Sequence, residues 1–142
     1  MPELDYAFLA QWAGVQSDGT LTSVGMSFTK VQVHELGGMF SFALACRFRG
    51  HTDDPDIPLE VSVSSPMGER LRFDTRLPMP HENAYTDEGR THALFAAQMQ
   101  IPLTEEGLHR VVVERGGEAE RELFFSVVLA PRPSADAPDS DA

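Results

Sequence analysis

Two His-Glu pairs, His34-Glu35 and His81-Glu82, are the first residues in the chain that invite a chemical reading. A zinc-hydrolase helix places a second histidine one turn after the first, so that both imidazoles face one metal. Those positions hold Gly38 and Tyr85, and both pairs sit in loop-forming stretches, so the zinc reading fails on spacing. A different metal chemistry is offered by Asp53, Asp54 and Asp56, which crowd a short loop beside His51. Calcium takes about six to eight oxygen ligands, commonly from closely spaced carboxylates. A second acidic loop carries Glu82, Asp87 and Glu88. If loops 51–56 and 81–88 share one end of the fold, they can share a cation or a small ligand. The bland alternative is a pair of solvated turns. No other cofactor is implied.

Nucleophilic chemistry finds less support. Cys46 is the single cysteine and lies on the apolar side of an alternating stretch. A reactive thiol needs exposure and a neighbouring base, so a small core residue is the expectation. His109 is read as a packed histidine with one hydrogen bond. No serine sits in a nucleophile-elbow pattern and no glycine-rich phosphate loop appears. The residues therefore argue against an enzyme.

Two sets of residues point to binding. Arg47, Arg49, Arg70, Arg72 and Arg76 fall on the polar side of two amphipathic strands. In one sheet they would form an anion patch for an acidic partner or for the chain's own acidic tail. The alternative is cross-strand pairing with Glu60, Glu69 and Asp74. Val112, Phe124 and Val128 form an apolar set on the outer side of the last hairpin. Tyr6, Phe8 and Trp12, or Ala7, Leu9 and Val15, must likewise point away from the first core layer. A sandwich cannot bury both faces of its sheets, so either an edge folds over or these surfaces meet another chain. A homodimer or a protein-docking face is the expectation.

The elements that position these residues follow from period-two alternation. The clearest is Thr104 to Leu129, where two apolar runs flank Arg115-Gly116-Gly117-Glu118, a favoured centre for a tight hairpin. Val111 and Val113 share one face of its first strand; Leu123, Phe125, Val127 and Leu129 share one face of the second. Asp5 to Val15 is read as a strand despite its alanines and leucines, because the Asp18-Gly19 turn follows at once. Leu21 to Val33 is the return strand, bent near Gly25. Phe40 to Arg49 alternates with Phe40, Phe42, Leu44, Cys46 and Phe48 inward. Ile57 to Ser65 follows with Leu59, Val61 and Val63 inward, then Leu71, Phe73, Thr75 and Leu77 on the next strand. Ala93 to Ile101 completes the set. About eight strands and no helix predict an all-β, antiparallel, immunoglobulin-like β-sandwich over residues 1–129.

Residues 130–142 carry three prolines and three aspartates and no large apolar side chain. This segment is read as a disordered acidic, proline-rich tail. Net charge is −11, which opposes binding to nucleic acid or to an anionic membrane. One cysteine, no membrane-length apolar run and no basic-then-apolar leader give a cytoplasmic protein as the simplest expectation.

The segment D-Y-A-F-L-A-Q-W-A-G-V-Q-S-D-G-T-L, with S-V-G-M-S-F-T-K-V after it, resembles a family of small uncharacterised bacterial proteins. Their members open with D-Y-A-x-L-A, a D-G turn and a V-G-x-G-like strand; Ser27 or Met26 stands at the last glycine. The closing E-G-L-H-R-V-V-V-E-R-G-G-E is similar to the last hairpin of immunoglobulin-like sandwiches, with His109 where an aromatic is usual. The resemblance implies a sandwich and no catalytic role. The reading drawn from the sequence is a non-catalytic protein-binding or assembly module, self-associating or docking another protein. A cation- or small-ligand-binding sandwich is the alternative.

Overall fold

The closing hairpin sets the register of the larger sheet. Gly116 and Gly117 both have positive φ, 59° and 89°, the conformation of a two-residue turn whose twist matches that of its strands. Arg115 pairs with Glu118 across it. The computed structural model describes residues 2–131. Ten strands run in the order β1 (Glu3–Ala10), β2 (Trp12–Val15), β3 (Leu21–Val24), β4 (Lys30–Val33), β5 (Met39–His51), β6 (Ile57–Ser64), β7 (Arg70–Leu77), β8 (Arg90–Pro102), β9 (Gly107–Arg115) and β10 (Glu118–Leu129). They form a three-stranded sheet β1-β5-β8, a five-stranded sheet β4-β10-β9-β6-β7 and the separate hairpin β2-β3. The all-β sandwich expected from the alternation is the fold observed. The tail expected at 130–142 lies almost wholly outside the described residues.

The core sits between the two larger sheets. Phe42, Leu44, Cys46 and Phe48 of β5 meet Leu59, Val61, Val63, Val111, Val113, Phe125 and Val127 of the facing sheet, all buried. Phe28, Phe40, Phe42 and Phe125 form a ring cluster with centroids 5.4–6.3 Å apart. His109 stacks on Phe125 at 5.1 Å.

Three expectations are revised. The return strand 21–33 is not continuous. Gly25 and Ser27 both adopt positive φ (63° and 62°), and the chain leaves one layer for the other there. A Cβ on Gly25 would come within 2.6 Å of the Gln11 side chain, so glycine is required at that corner. The first stretch breaks likewise at Gln11, between β1 and β2, which raises the strand count to ten. Beyond the corner β4 pairs with β10 in parallel, the one parallel pairing among the described residues.

Second, Ala43 and Ala45 of β5, expected to face solvent, are fully buried. The β2-β3 hairpin folds over them and packs with Ala10, Ala13, Phe8, Leu21 and Ala96 as a second, smaller core. The edge-folding solution is thus the one taken on this sheet. Third, Leu71 and Phe73 face the interior side in register with Val63 and Val61, yet each remains 41% exposed. The five-stranded sheet overhangs its three-stranded partner at Leu71 and Phe73, whereas Leu77 at the other end of β7 packs against the core.

Candidate protein-docking seam

The acidic loops do meet. Thr52 donates its amide to the Gly89 carbonyl at 2.9 Å, and the His51 ring nitrogen Nε2 bonds to the Glu88 carbonyl. The carboxylates themselves do not converge. Asp54 accepts from the His51 amide at 2.8 Å, and Asp53 stands 3.5 Å from His51 Nδ1. Asp56 precedes β6 in an exposed position. Among the described residues no group of three His, Cys, Asp or Glu side chains is placed to hold a metal ion. His34 bonds through Nδ1 to the Ala130 carbonyl at 3.1 Å, and His81 is exposed in the β7–β8 loop.

Cys46 is fully buried, and burial pushes its thiol up to about 12. His109 is buried, with Nδ1 3.1 Å from the Gly107 carbonyl. A carbonyl only accepts, so Nδ1 carries the proton of this contact.

The five arginines are divided between opposite faces of the sandwich and form no common patch. Arg47 and Arg49 lie on the outer face of the three-stranded sheet. Arg47 pairs with Asp5; Arg49 reaches Glu3 at 3.3 Å and Asp5 at 3.6 Å. Arg70, Arg72 and Arg76 lie on the outer face of β7 in the other sheet. Arg72 pairs with Glu60 and holds that carboxyl below its usual range; Arg70 stands 3.7 Å from Glu114. Among the described residues Arg76 makes no ion pair.

The trio Val112, Phe124 and Val128 is also split. Val112 sits opposite Ser62 and Glu122 and is buried. Glu122, directly opposite it, pairs with Arg110, and both of those side chains remain about half exposed. Phe124 is exposed near Leu108, and Val128 is half-buried opposite Gln32 of β4. No single apolar face joins the three.

What the structure does assemble is the lateral seam between the edges β7 and β8. Every residue from Arg70 to Arg76 is exposed. The β6–β7 ladder is regular from Ile57↔Leu77 to Ser64↔Arg70, with no bulge and no proline in β7. At the Leu71 end the seam deepens into a groove of about 300 Å³. Val63, Leu71, Ile101 and Pro102 give it apolar walls, and buried His109 contributes to its lining. Glu69 and Arg70 stand at the same groove. The mouth is held by the 65–69 turn: the Ser65 hydroxyl and the Met67 amide, the latter at 2.8 Å, hold the Glu105 carboxyl below its usual range.

A model of a protein family matches residues 5–128 of this sequence, from Asp5 through the closing hairpin; it is described as a family of unknown function, DUF6941. The chain belongs to this family. No curated protein matches the sequence. Two solved structures are similar in shape. One is a Pseudomonas fluorescens alkylpurine DNA glycosylase, AlkC, bound to DNA containing an abasic-site analogue, at 10% identity and a TM-score of 0.49. That match covers 89% of this chain but only 30% of the glycosylase. The other is an immunoglobulin-like protein from Pseudomonas aeruginosa, at 18% identity and a TM-score of 0.42, covering 90% of this chain and 97% of that one. Among the described residues no helix is long and apolar enough to cross a membrane.

The seam was missed in the sequence because Leu71 and Phe73 alternate just as core residues do. The folded-over hairpin did leave a signal. Ala43, Ala45 and Ala96 stand at outward positions where a solvated strand normally carries polar side chains.

Proposed function

We propose that this DUF6941 protein is a non-catalytic protein-binding module that docks its partner along the β7–β8 seam. The observation that carries the reading is the state of β7: a regular edge strand exposed along its length, with Leu71 and Phe73 uncovered on its inner side. Natural proteins blunt such edges with bulges, prolines or charges; β7 has no bulge, no proline and no inward-pointing charge, and its four charged residues all lie on the outer face. A non-catalytic role is supported by a thiol held neutral in the core and a histidine tied to a backbone carbonyl. The test is a photo-crosslinking residue placed at Phe73 and, as control, at exposed Ala119, in the native cells. An adduct specific to position 73 is expected. Adducts of equal yield at both positions, or at Ala119 alone, overturn the seam.

Self-association is a second reading, favoured by the hairpin. Trp12 and Val24 pair across it, and both are exposed together with Met26. Light scattering that returns a strict monomer mass at all concentrations removes it.

A further inference from the structure

The seam reading leaves open what kind of partner segment the edge accepts, and the following step rests on that reading. We infer that β7 receives an extended, acidic segment of another protein as an added antiparallel strand of the five-stranded sheet. Strand addition draws its affinity from backbone hydrogen bonds and its specificity from alternate side chains. Among the described residues the outer edge of β7 has no strand partner along any of its eight residues. Antiparallel pairing is the more stable of the two directions per residue.

The two faces of β7 then state what the added strand must carry. On the inner side Leu71, Phe73 and Thr75 ask for apolar, β-branched partners, and the residue opposite Leu71 sits over the groove that His109 helps to line. On the outer side stand Arg70, Arg72, Asp74 and Arg76; Glu114 and Glu60 of the neighbouring strands already face Arg70 and Arg72, and Arg76 makes no ion pair among the described residues. Directly opposed unlike charges stabilise a strand pair, and like charges destabilise it. Acids are therefore called for opposite Arg70, Arg72 and Arg76, and a neutral residue opposite Asp74.

A second copy of this chain does not meet that requirement. Two β7 strands related by a two-fold axis, with their apolar faces kept on the same side, have two registers that use most of the strand. One opposes Arg70 to Arg76 while setting Arg72 against Asp74, and the other opposes Arg72 to Arg76 and Asp74 to its own copy. Both set guanidinium against guanidinium, so the charge pattern selects an acidic heterologous strand.

The probe follows from the pairing: a labelled peptide Glu-Val-Thr-Val-Glu-Val-Glu, compared with the version carrying lysine in place of each glutamate. With the full chain, fluorescence anisotropy is expected to show saturable binding of the acidic peptide and at least about tenfold weaker binding of the basic one. Hydrogen exchange is expected to slow at β7 amides and to stay unchanged at the Gly116–Gly117 turn. Arg76→Glu, which breaks no ion pair in the structure, should weaken the acidic peptide and strengthen the basic one. Phe73→Glu should abolish binding of the acidic peptide, with circular dichroism confirming the fold. Equal binding of the two peptides, or binding without new protection in β7, overturns the added strand. A native partner that crosslinks at position 73 but leaves β7 amides unprotected sinks the strand inference and leaves the seam standing. Neither adduct nor peptide binding sinks both.

Discussion

The sandwich has two lateral seams, and the chain treats them differently. Between β1 and β10 the segment 25–29 crosses from one layer to the other and closes the gap. Ser27 donates its amide to the Leu9 carbonyl, Phe28 drops its ring among Phe40, Phe42 and Phe125, and Arg115 reaches the Pro2 carbonyl. Between β7 and β8 the crossing is confined to one end: among the described residues the segment 78–89 joins the two strands there, with Met79 buried in the core. Leu71 and Phe73 are left in water, and the two free edges face the same opening. The two sheets have unequal numbers of strands, so one side must overhang. The crossing segment serves the first side and leaves the second as the exposed one.

The largest test of this contrast is a pair of truncations. Phe28→Ala removes a ring packed among three others and should cost about 3 kcal/mol in urea unfolding. Phe73→Ala, at the open seam, should cost less than about 1 kcal/mol. Equal losses would mean that the seams are closed alike.

Next in size is the behaviour of Cys46, which lies between the seams in the middle of β5. Burial raises its thiol from 9.0 to about 12, so the native state holds a proton that the unfolded chain releases. The stabilising contribution is complete below pH 9.0 and is lost as pH rises from there towards 12. Labelling by a disulfide reagent at pH 8 should accordingly track unfolding. Rapid labelling of the native protein would show that the β7–β8 opening reaches the core.

A smaller effect is expected at the stitched seam itself. Ser27 holds a left-handed conformation that glycine adopts without steric cost. Ser27→Gly should leave stability unchanged or raise it by about 0.5 kcal/mol, and Ser27→Val should lower the melting temperature. The smallest concerns the loops at the end of the open seam. With Asp53 and Asp54 engaged by His51 and no three acidic or histidine side chains grouped to hold a metal among the described residues, millimolar calcium should leave the melting temperature unmoved. An upward shift would revive the cation reading and give the open seam a metal-braced end.

Much of the fold was legible in the residues, and the candidate site was not. The alternation in β5, β6 and β9 put the side chains of the main core inward correctly, and it left Ala43, Ala45 and Val112, which are buried as well, on the outer face. The same rule misplaced β7, whose pattern is that of a covered strand. Alternation reports which side chains share a face; it carries no information on what lies opposite. The five arginines show the same limit: each was correctly put on the polar side of its strand, and strand pairing then sent them to opposite surfaces.

By itself the sequence determined the strands from β5 to β10, the Gly116–Gly117 turn, the inward placement of Cys46 and the residues that share each of those strands' faces. These follow from φ preferences and side-chain alternation, which act within a few residues. Only the tertiary structure decided that 25–29 crosses one seam, that β2-β3 covers Ala43 and Ala45, and that β7 is left bare. Those outcomes depend on which sheet is wider and which segment reaches across, contacts between residues far apart in the chain that no local pattern encodes.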